Sequence, residues 1–463
     1  MKRASPTFRG TAHTARTLSL QALLECRRHD SFVQEILDRQ FAEHSLSAVD
    51  RRLVTQLTYG VLRRRGTLEA ILAPLINRPG RGVEPWLWDA LFLGAYQLTL
   101  LSHIPIHAAV HETVELAVAF GRPEARGFLN GILRRVAELT TDEKASMPAA
   151  NAFPLEDGTY RLLAHAVFPD PATHPLAYLS QAFGLPEWLT ARWLSRFGFE
   201  ECSRLGFWFA GSPGLTLRCH LLRCRREVLL EALRAAGCEA EAGSHPQAIR
   251  LRRAGAIRDL PGYADGWFSV QDESAMRVAS ALDPQPGESV LDLCAAPGGK
   301  TTHLAEYMRN TGRIVACDVD EKRLRTVESL AERLRLSILE THRLRGSSGD
   351  DLPEGPFDRI LVDVPCSNTG VLGKRPEARW RLRAEEIAKL AELQKRLLCA
   401  ACRRVRGGGT VVYSTCSIEP EENRQVVENV LRAFPNLRLE SEGVALPGQP
   451  ADGGYWARLR GNP

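Results

Sequence analysis

No apolar stretch in this 463-residue chain approaches the ~18 residues needed to span a bilayer. The opening MKRASPTFRG is basic but lacks the apolar core of a secretory signal, so a cytoplasmic location is expected. A strong charge of one sign is missing too, since the net charge is only +5. That excess sits wholly in residues 1–140, where 18 Lys+Arg face 13 Asp+Glu. The placement suits a module that meets RNA phosphates, and it suits a merely solvated surface equally well. The 11 cysteines are an odd, scattered set, which excludes a complete intrachain disulfide framework and points to reduced thiols. Cys399 and Cys402 have C-x-x-C spacing, but they lie in a helix-like run with no second ligand pair. They read as small residues on a buried helix face, and no metal site is expected.

What remains is an ordinary globular composition, 44% hydrophobic and 25% charged, in a chain long enough for about three domains at ~150 residues each. Residues 10–140 read as a helical bundle, with apolar positions three and four apart (Leu18, Ala22, Leu23; Leu53, Leu57, Val61). Ser47-Ala-Val-Asp50 has the form of a capping box ahead of one run. Arg63-Arg64-Arg65 reads either as a cluster closing that helix or as an RNA contact. Residues 141–175 lose the period and read as a linker with one short helix, and 176–200 turn helical again around Trp188 and Trp193. Between 213 and 265 strand, helix and strand follow one another (Leu215–His220, Arg226–Ala236, Ala248–Arg252), a small α+β unit. It lacks the aromatic stacking signature of an RNA recognition motif, although Arg218, Arg223, Arg225 and Arg226 could meet phosphate. From Val290 onward short apolar runs alternate with helical segments, the rhythm of a doubly wound parallel sheet. The expected division is therefore 8–142 helical, 143–210 linker and helix, 211–284 small α+β, and 285–463 α/β.

The first α/β strand runs into Cys294-Ala295-Ala296-Pro297-Gly298-Gly299-Lys300, and a helix follows. The glycines let backbone approach a ligand, and the helix start offers unpaired N–H groups. The next strand ends in Asp318, about 20 residues on, where an acid can accept ribose hydroxyls. A phosphate-binding P-loop would need glycine where Cys294 stands, and the G-x-G-x-x-G of dinucleotide folds is absent. S-adenosylmethionine, a nucleoside cofactor without phosphate, suits the loop better.

Two further cysteines follow strand-like runs: Cys366 in Asp363-Val364-Pro365-Cys366-Ser367, and Cys416 in Ser414-Thr415-Cys416-Ser417. A single strand-end cysteine reads as a small core residue, but two in polar settings read as chemistry. Carbon 5 of a pyrimidine is a poor nucleophile until a thiolate adds to carbon 6, so covalent catalysis would ease methyl transfer there. A carboxyl such as Asp363 could protonate or hydrogen-bond ring nitrogen 3.

LDLCAAPGGKT (291–301), ACDVDEKR (316–323), FDRILVDVPCSNTGVLGKRPEARW (357–380) and VVYSTCSIEPEEN (411–423) closely resemble the RsmB/Nop family of RNA 5-methylcytosine methyltransferases. WFSVQDESA (267–275) resembles that family's entry into its catalytic domain. ARTLSLQALLEC (15–26), HAAVHETVELA (107–117) and GFLNGILRRV (127–136) resemble the NusB-type RNA-binding domain. Together they have the layout of the bacterial 16S rRNA branch of the family. The resemblance implies Cys416 as nucleophile, Cys366 as the thiol that promotes product release, and cofactor contacts from the 294–300 loop, Asp318 and Asp363. It implies an rRNA partner, and a monomer is the default. One departure stands out: the family's Asp after the third strand is missing from Glu340-Thr-His-Arg-Leu-Arg-Gly346, and Asp350 and Asp351 would need a different loop path. A non-catalytic RNA-binding adaptor is the alternative from another class, and a methyltransferase acting on another RNA is the nearer one. Retention of both thiols argues against the adaptor.

Overall fold

The computed structural model describes residues 13–28, 31–76, 82–253, 255–346, 349 and 351–462. The chain forms two compact units, one of residues 1–213 with 372–381, the other of 214–371 with 382–463.

Among the described residues of the first unit, six α-helices run from Ala15–Arg28 to Arg126–Leu139. Leu18, Ala22, Leu57 and Val61 lie inside, as the helical period requires. Ser47 caps the helix Ala48–Leu72 by accepting the Asp50 N–H at 3.1 Å. That helix continues well past Arg63-Arg64-Arg65, so the cluster does not close it. Arg63 and Arg64 are buried, which also removes them from the surface that the alternative reading, RNA contact, would need. Their chemistry is interior: Arg63 Nε donates to the Gly373 carbonyl at 2.8 Å.

The stretch expected to be a linker folds into a three-stranded antiparallel sheet, Thr140–Ala145, Ala152–Pro154 and Tyr160–Leu163. Its strands are too short to show a period. Aromatic packing covers the sheet instead, with Tyr160 edge-on to Phe183 and Phe207. Helices Pro175–Phe183 and Glu187–Ala210 follow, the second broken at Gly198, whose φ of +80° and ψ of 176° no helix allows.

In the second unit, strands Leu215–Cys219, Ala248–Arg253, Glu239–Ala242 and Phe268–Val270 form an antiparallel sheet with the helix Arg226–Ala235. Glu239–Ala242 and Phe268–Val270 carried no clear sequence signal. Arg218 is wholly buried rather than poised for phosphate, whereas Arg223 and Arg225 are exposed.

The large sheet has seven strands: β1 (Ser289–Leu293), β2 (Arg313–Asp318), β3 (Leu339–Arg343), β4 (Phe357–Asp363), β5 (Val405–Thr415), β6 (Leu437–Ala445) and β7 (Gly454–Gly461). Their spatial order is β3-β2-β1-β4-β5-β7-β6, with β7 antiparallel to both its neighbours and the other pairs parallel. Each central strand feeds two cores. Leu291, Val362 and Tyr413 face one, while Val290, Leu361 and Val412 face the other. Burial on both sides explains their near-continuous apolar runs. Strand order reverses between β1 and β4, so the crevice beyond their C-terminal ends is where such a sheet takes its ligand.

Candidate active site

Parallel register places Asp363 at the end of β4 directly beside Ser414 of β5. Ser414 Oγ donates to Asp363 Oδ1 at 2.6 Å, and Lys300 Nζ donates to Oδ2 at 2.7 Å. Burial works against the Lys300 ammonium, but the adjacent Asp363 carboxylate prevails and holds its pKa above the ordinary value. One residue beyond β5 stands Cys416, and three beyond β4 stands Cys366. Their sulfurs lie 3.0 Å apart as free thiols. The Cys366 thiol is held well above its usual range, first by the hydrogen bond with Cys416 and then by burial.

Gly370 brings the two loops together. Its N–H donates to the Cys416 carbonyl at 2.9 Å, and a Cβ there would sit 2.7 Å from that same oxygen. Asn368 was not singled out from the sequence. It occupies the left-handed region (φ +61°), donates from Nδ2 to the Cys366 carbonyl at 2.9 Å, and accepts from Cys416 Sγ at 3.3 Å. A non-glycine residue held there is a strain signal visible only in coordinates.

A cavity of about 200 Å³ opens on this group. Lys300, Asp363 and Cys416 line it, and Asp272, Arg277 and Trp456 contribute from the other side. Asp272 was noted only within WFSVQDESA (267–275), as an entry to the catalytic domain and not as a site residue, and neither Arg277 nor the hairpin that carries Trp456 was picked out by sequence reasoning. Asp318 and residues 294–299 do not line this cavity. They form a neighbouring group at the ends of β1 and β2.

In that second group Ala295 and Ala296 are buried against Ala316 and Val327, so backbone rather than side chain faces outward. Gly298 has φ +100°, and a Cβ on it would meet the Val327 backbone at 3.0 Å. A Cβ on Gly299 would meet nothing within 4 Å, so open space lies beside it. Asp318, nearly buried, accepts the Ala296 N–H at 3.3 Å and the Asp320 N–H at 3.1 Å, which fixes its carboxylate against the loop. Cys294 turns the chain at φ +65°, and burial pushes its thiol pKa up. Beneath the loop Asp292 accepts from Thr301 Oγ1 at 2.6 Å, and burial raises its pKa to about 7. Beyond β3, Asp351 folds back so that its carboxylate accepts the Arg345 N–H, which is one path for an acid to the strand end where the expected Asp is absent. Asp350 lies outside the described residues. A glycine loop, two acids at neighbouring strand ends and open space beside Gly299 fit a nucleoside cofactor without phosphate.

A doubly wound sheet with a glycine loop on its first strand and paired thiols at its C-terminal edge defines an α/β enzyme of group transfer. Residues 279–453 match the family 16S rRNA methyltransferase RsmB/F, residues 13–138 the NusB family, and residues 185–258 the ferredoxin-like domain of RsmF/B-like methyltransferases. The probable ribosomal RNA small subunit methyltransferase B of Bacillus subtilis (strain 168) is 33% identical over 92% of this chain and 89% of its own. The ribosomal RNA small subunit methyltransferase B of Serratia proteamaculans (strain 568) is 36% identical over 90% of this chain and 92% of its own. Among solved structures, a methyltransferase homolog protein from Pyrococcus horikoshii aligns over 62% of this chain and 99% of its own, with 28% identity and a TM-score of 0.55. The chain belongs to the 16S rRNA methyltransferase RsmB/F family, and it is a methyltransferase enzyme.

Proposed function

We propose that the chain methylates carbon 5 of a cytosine in small-subunit rRNA, with S-adenosylmethionine as methyl donor and Cys416 as nucleophile. The observation that carries this reading is the pair of free thiols 3.0 Å apart, one of them in a cavity shared with Lys300 and Asp363. Asp318 and the 294–300 loop would hold the cofactor, which supplies an electrophilic methyl group. The Cys416 thiolate adds to carbon 6 of the base, and the electron pair moves to carbon 5, which takes the methyl group. Asp363, anchored by Lys300 and Ser414, orients the base through its ring nitrogen 3. The carbon-5 proton must then leave so that the Cys416–carbon-6 bond can break. Cys366, on the opposite side of the sulfur contact, is the residue assigned to that release. Family membership supports the RNA substrate, and the reading places the work in the cytoplasm. Among the described residues, no helix is long and apolar enough to cross a membrane.

The test is a covalent trap. Cys366→Ala enzyme is mixed with cellular RNA and S-adenosylmethionine and run on a denaturing gel. The expected result is a retarded, RNase-sensitive band that vanishes in Cys366→Ala/Cys416→Ala. A band that survives removal of Cys416 would overturn the assignment of nucleophile. Wild-type methyl transfer with no band in Cys366→Ala would overturn the division of labour between the thiols.

A further inference from the structure

The residue after each thiol is a serine, and both serines reach the same buried carboxylate. Glu422, wholly inaccessible to solvent, accepts the Ser367 N–H at 2.9 Å and Gln394 Nε2 at 2.9 Å on Oε1. Its Oε2 accepts from the hydroxyls of both Ser367 and Ser417, which also lie 3.1 Å from each other. Gln394 donates in addition to the Pro365 carbonyl at 3.0 Å, and Tyr413 donates its hydroxyl to the carbonyl of Glu422 itself. Asn423 extends the contact by donating to the Ser417 carbonyl at 2.9 Å and accepting from Thr415 Oγ1 at 2.6 Å. Both thiol loops therefore close on one side chain, which arrives from a short turn beyond β5.

We propose that Glu422 is a positioning residue for methyl transfer: its carboxylate clamps the Cys366 and Cys416 loops so that the two sulfurs oppose each other across one base. The proposal rests on the two-thiol reading above. A buried carboxylate with no cation partner in this network is a costly choice for structure alone, because an amide of the same shape could take several of the same bonds. The charge has a separate consequence. Burial pulls the Glu422 carboxyl above its usual range while its four donors oppose that pull. The carboxylate in turn adds to the forces that keep the Cys366 thiol protonated, behind the Cys416 contact and burial. Glu422 thus disfavours Cys366 as a competing nucleophile and leaves addition to Cys416. Glu422 touches neither base nor cofactor and acts only through the two loops.

The experiment compares wild type with Glu422→Gln, Ser367→Ala and Ser417→Ala in single-turnover methyl transfer, with the gel-stable protein–RNA adduct quantified in parallel. Glu422→Gln should lower the methylation rate by roughly tenfold or more while the KM for RNA changes less than about twofold. Its rate of product release should rise at lower pH than in wild type, because removing the carboxylate charge makes Cys366 easier to ionise. Ser417→Ala should slow adduct formation, whereas Ser367→Ala should slow release and let adduct accumulate. Melting temperature and S-adenosylmethionine affinity separate this from misfolding: activity that falls only in step with cofactor binding or folded fraction overturns the proposal. So does a Glu422→Gln enzyme with wild-type rate, adduct level and pH profile. The underlying reading fails by a different result, an adduct that persists in Cys416→Ala, whatever Glu422 does.

Discussion

Two arginines, one in each unit, lie almost wholly inside the protein and are held in opposite ways. Arg379 in the first unit is surrounded by carbonyl oxygens, those of Arg63 at 2.9 Å, Gly184 and Leu372 at 3.3 Å, and Phe209. Burial and the neighbouring Arg63 and Arg64 charges push its pKa well below the ordinary value. Arg218 in the second unit meets a carboxylate, with Nη2 2.7 Å from Glu306 Oε1, and it also donates to the Gly299 carbonyl at 2.6 Å and Thr302 Oγ1 at 3.1 Å. A carbonyl cage distributes a charge over dipoles that cannot titrate. An ion pair concentrates compensation on one partner that can. The partners of the first therefore bring no pH dependence of their own over the physiological range, and the partner of the second does.

The largest effect expected is from Arg379→Met, which strips four buried carbonyls of their donor and should destabilise the full chain by on the order of 4 kcal/mol. Urea denaturation at pH 6 and pH 8 should give the same loss. A loss that differs strongly between the two would end the contrast with Arg218. Arg218→Met leaves Glu306 buried without its cation, at a cost of about 3 kcal/mol near pH 8. Glu306 already has its pKa raised to about 6, by burial first with Arg218 opposing. Without Arg218 it takes up a proton more readily, so the loss should shrink towards pH 5, and Arg218→Met/Glu306→Gln should recover most of it. Isothermal titration should also show weaker S-adenosylmethionine binding in Arg218→Met, because the Gly299 carbonyl loses one of its donors and keeps Thr302 Oγ1 at 3.2 Å.

A third test concerns a buried carboxyl with no cation in contact. Asp292 titrates near 7 when folded against a usual value of 3.8, so the folded state holds its proton over that window. Wild-type stability should then fall as pH rises from about 4 to about 7. Asp292→Asn should remove that slope and gain on wild type by on the order of 2 kcal/mol by pH 8. Melting temperatures across the range would show it, and parallel curves for the two proteins would refute it. The smallest effect should come from Ser47→Ala, which removes an exposed helix cap worth about 1 kcal/mol. A change above about 2 kcal/mol would mean Ser47 does more than cap.

Much of the second unit was legible in order along the chain. Central strands are buried on both faces, so Leu291, Ile360 and Val411 sit in near-continuous apolar runs, and the loop after β1 carries its glycines in sequence. The polar strands fared worse. Glu239–Ala242 alternates weakly at a sheet edge, and the sheet of 140–163 is made of strands three to six residues long. Charge misled for a physical reason. Arg63 and Arg218 look like surface residues because burying a guanidinium is costly unless distant carbonyls or a carboxylate meet it, and those partners lie far away in sequence. Arg218 and Glu306 are separated by 88 positions. Asn368 and Glu422 stayed hidden in the same way, the first behind a backbone angle and the second behind bonds to loops 55 and 5 residues away.

The sequence by itself determined the residue types and their local settings: a glycine loop after an apolar strand, an acid at the next strand's end, and two cysteines each one short turn beyond a buried run. These are local because strand, turn and helix are set by neighbours within a few residues. Only the tertiary structure decided that the sulfurs lie 3.0 Å apart, that Lys300 pairs with Asp363, and that one carboxylate closes both thiol loops. Those contacts span 50, 63 and 55 residues of chain, and parallel strand pairing is what brings such distant residues to one edge of the sheet.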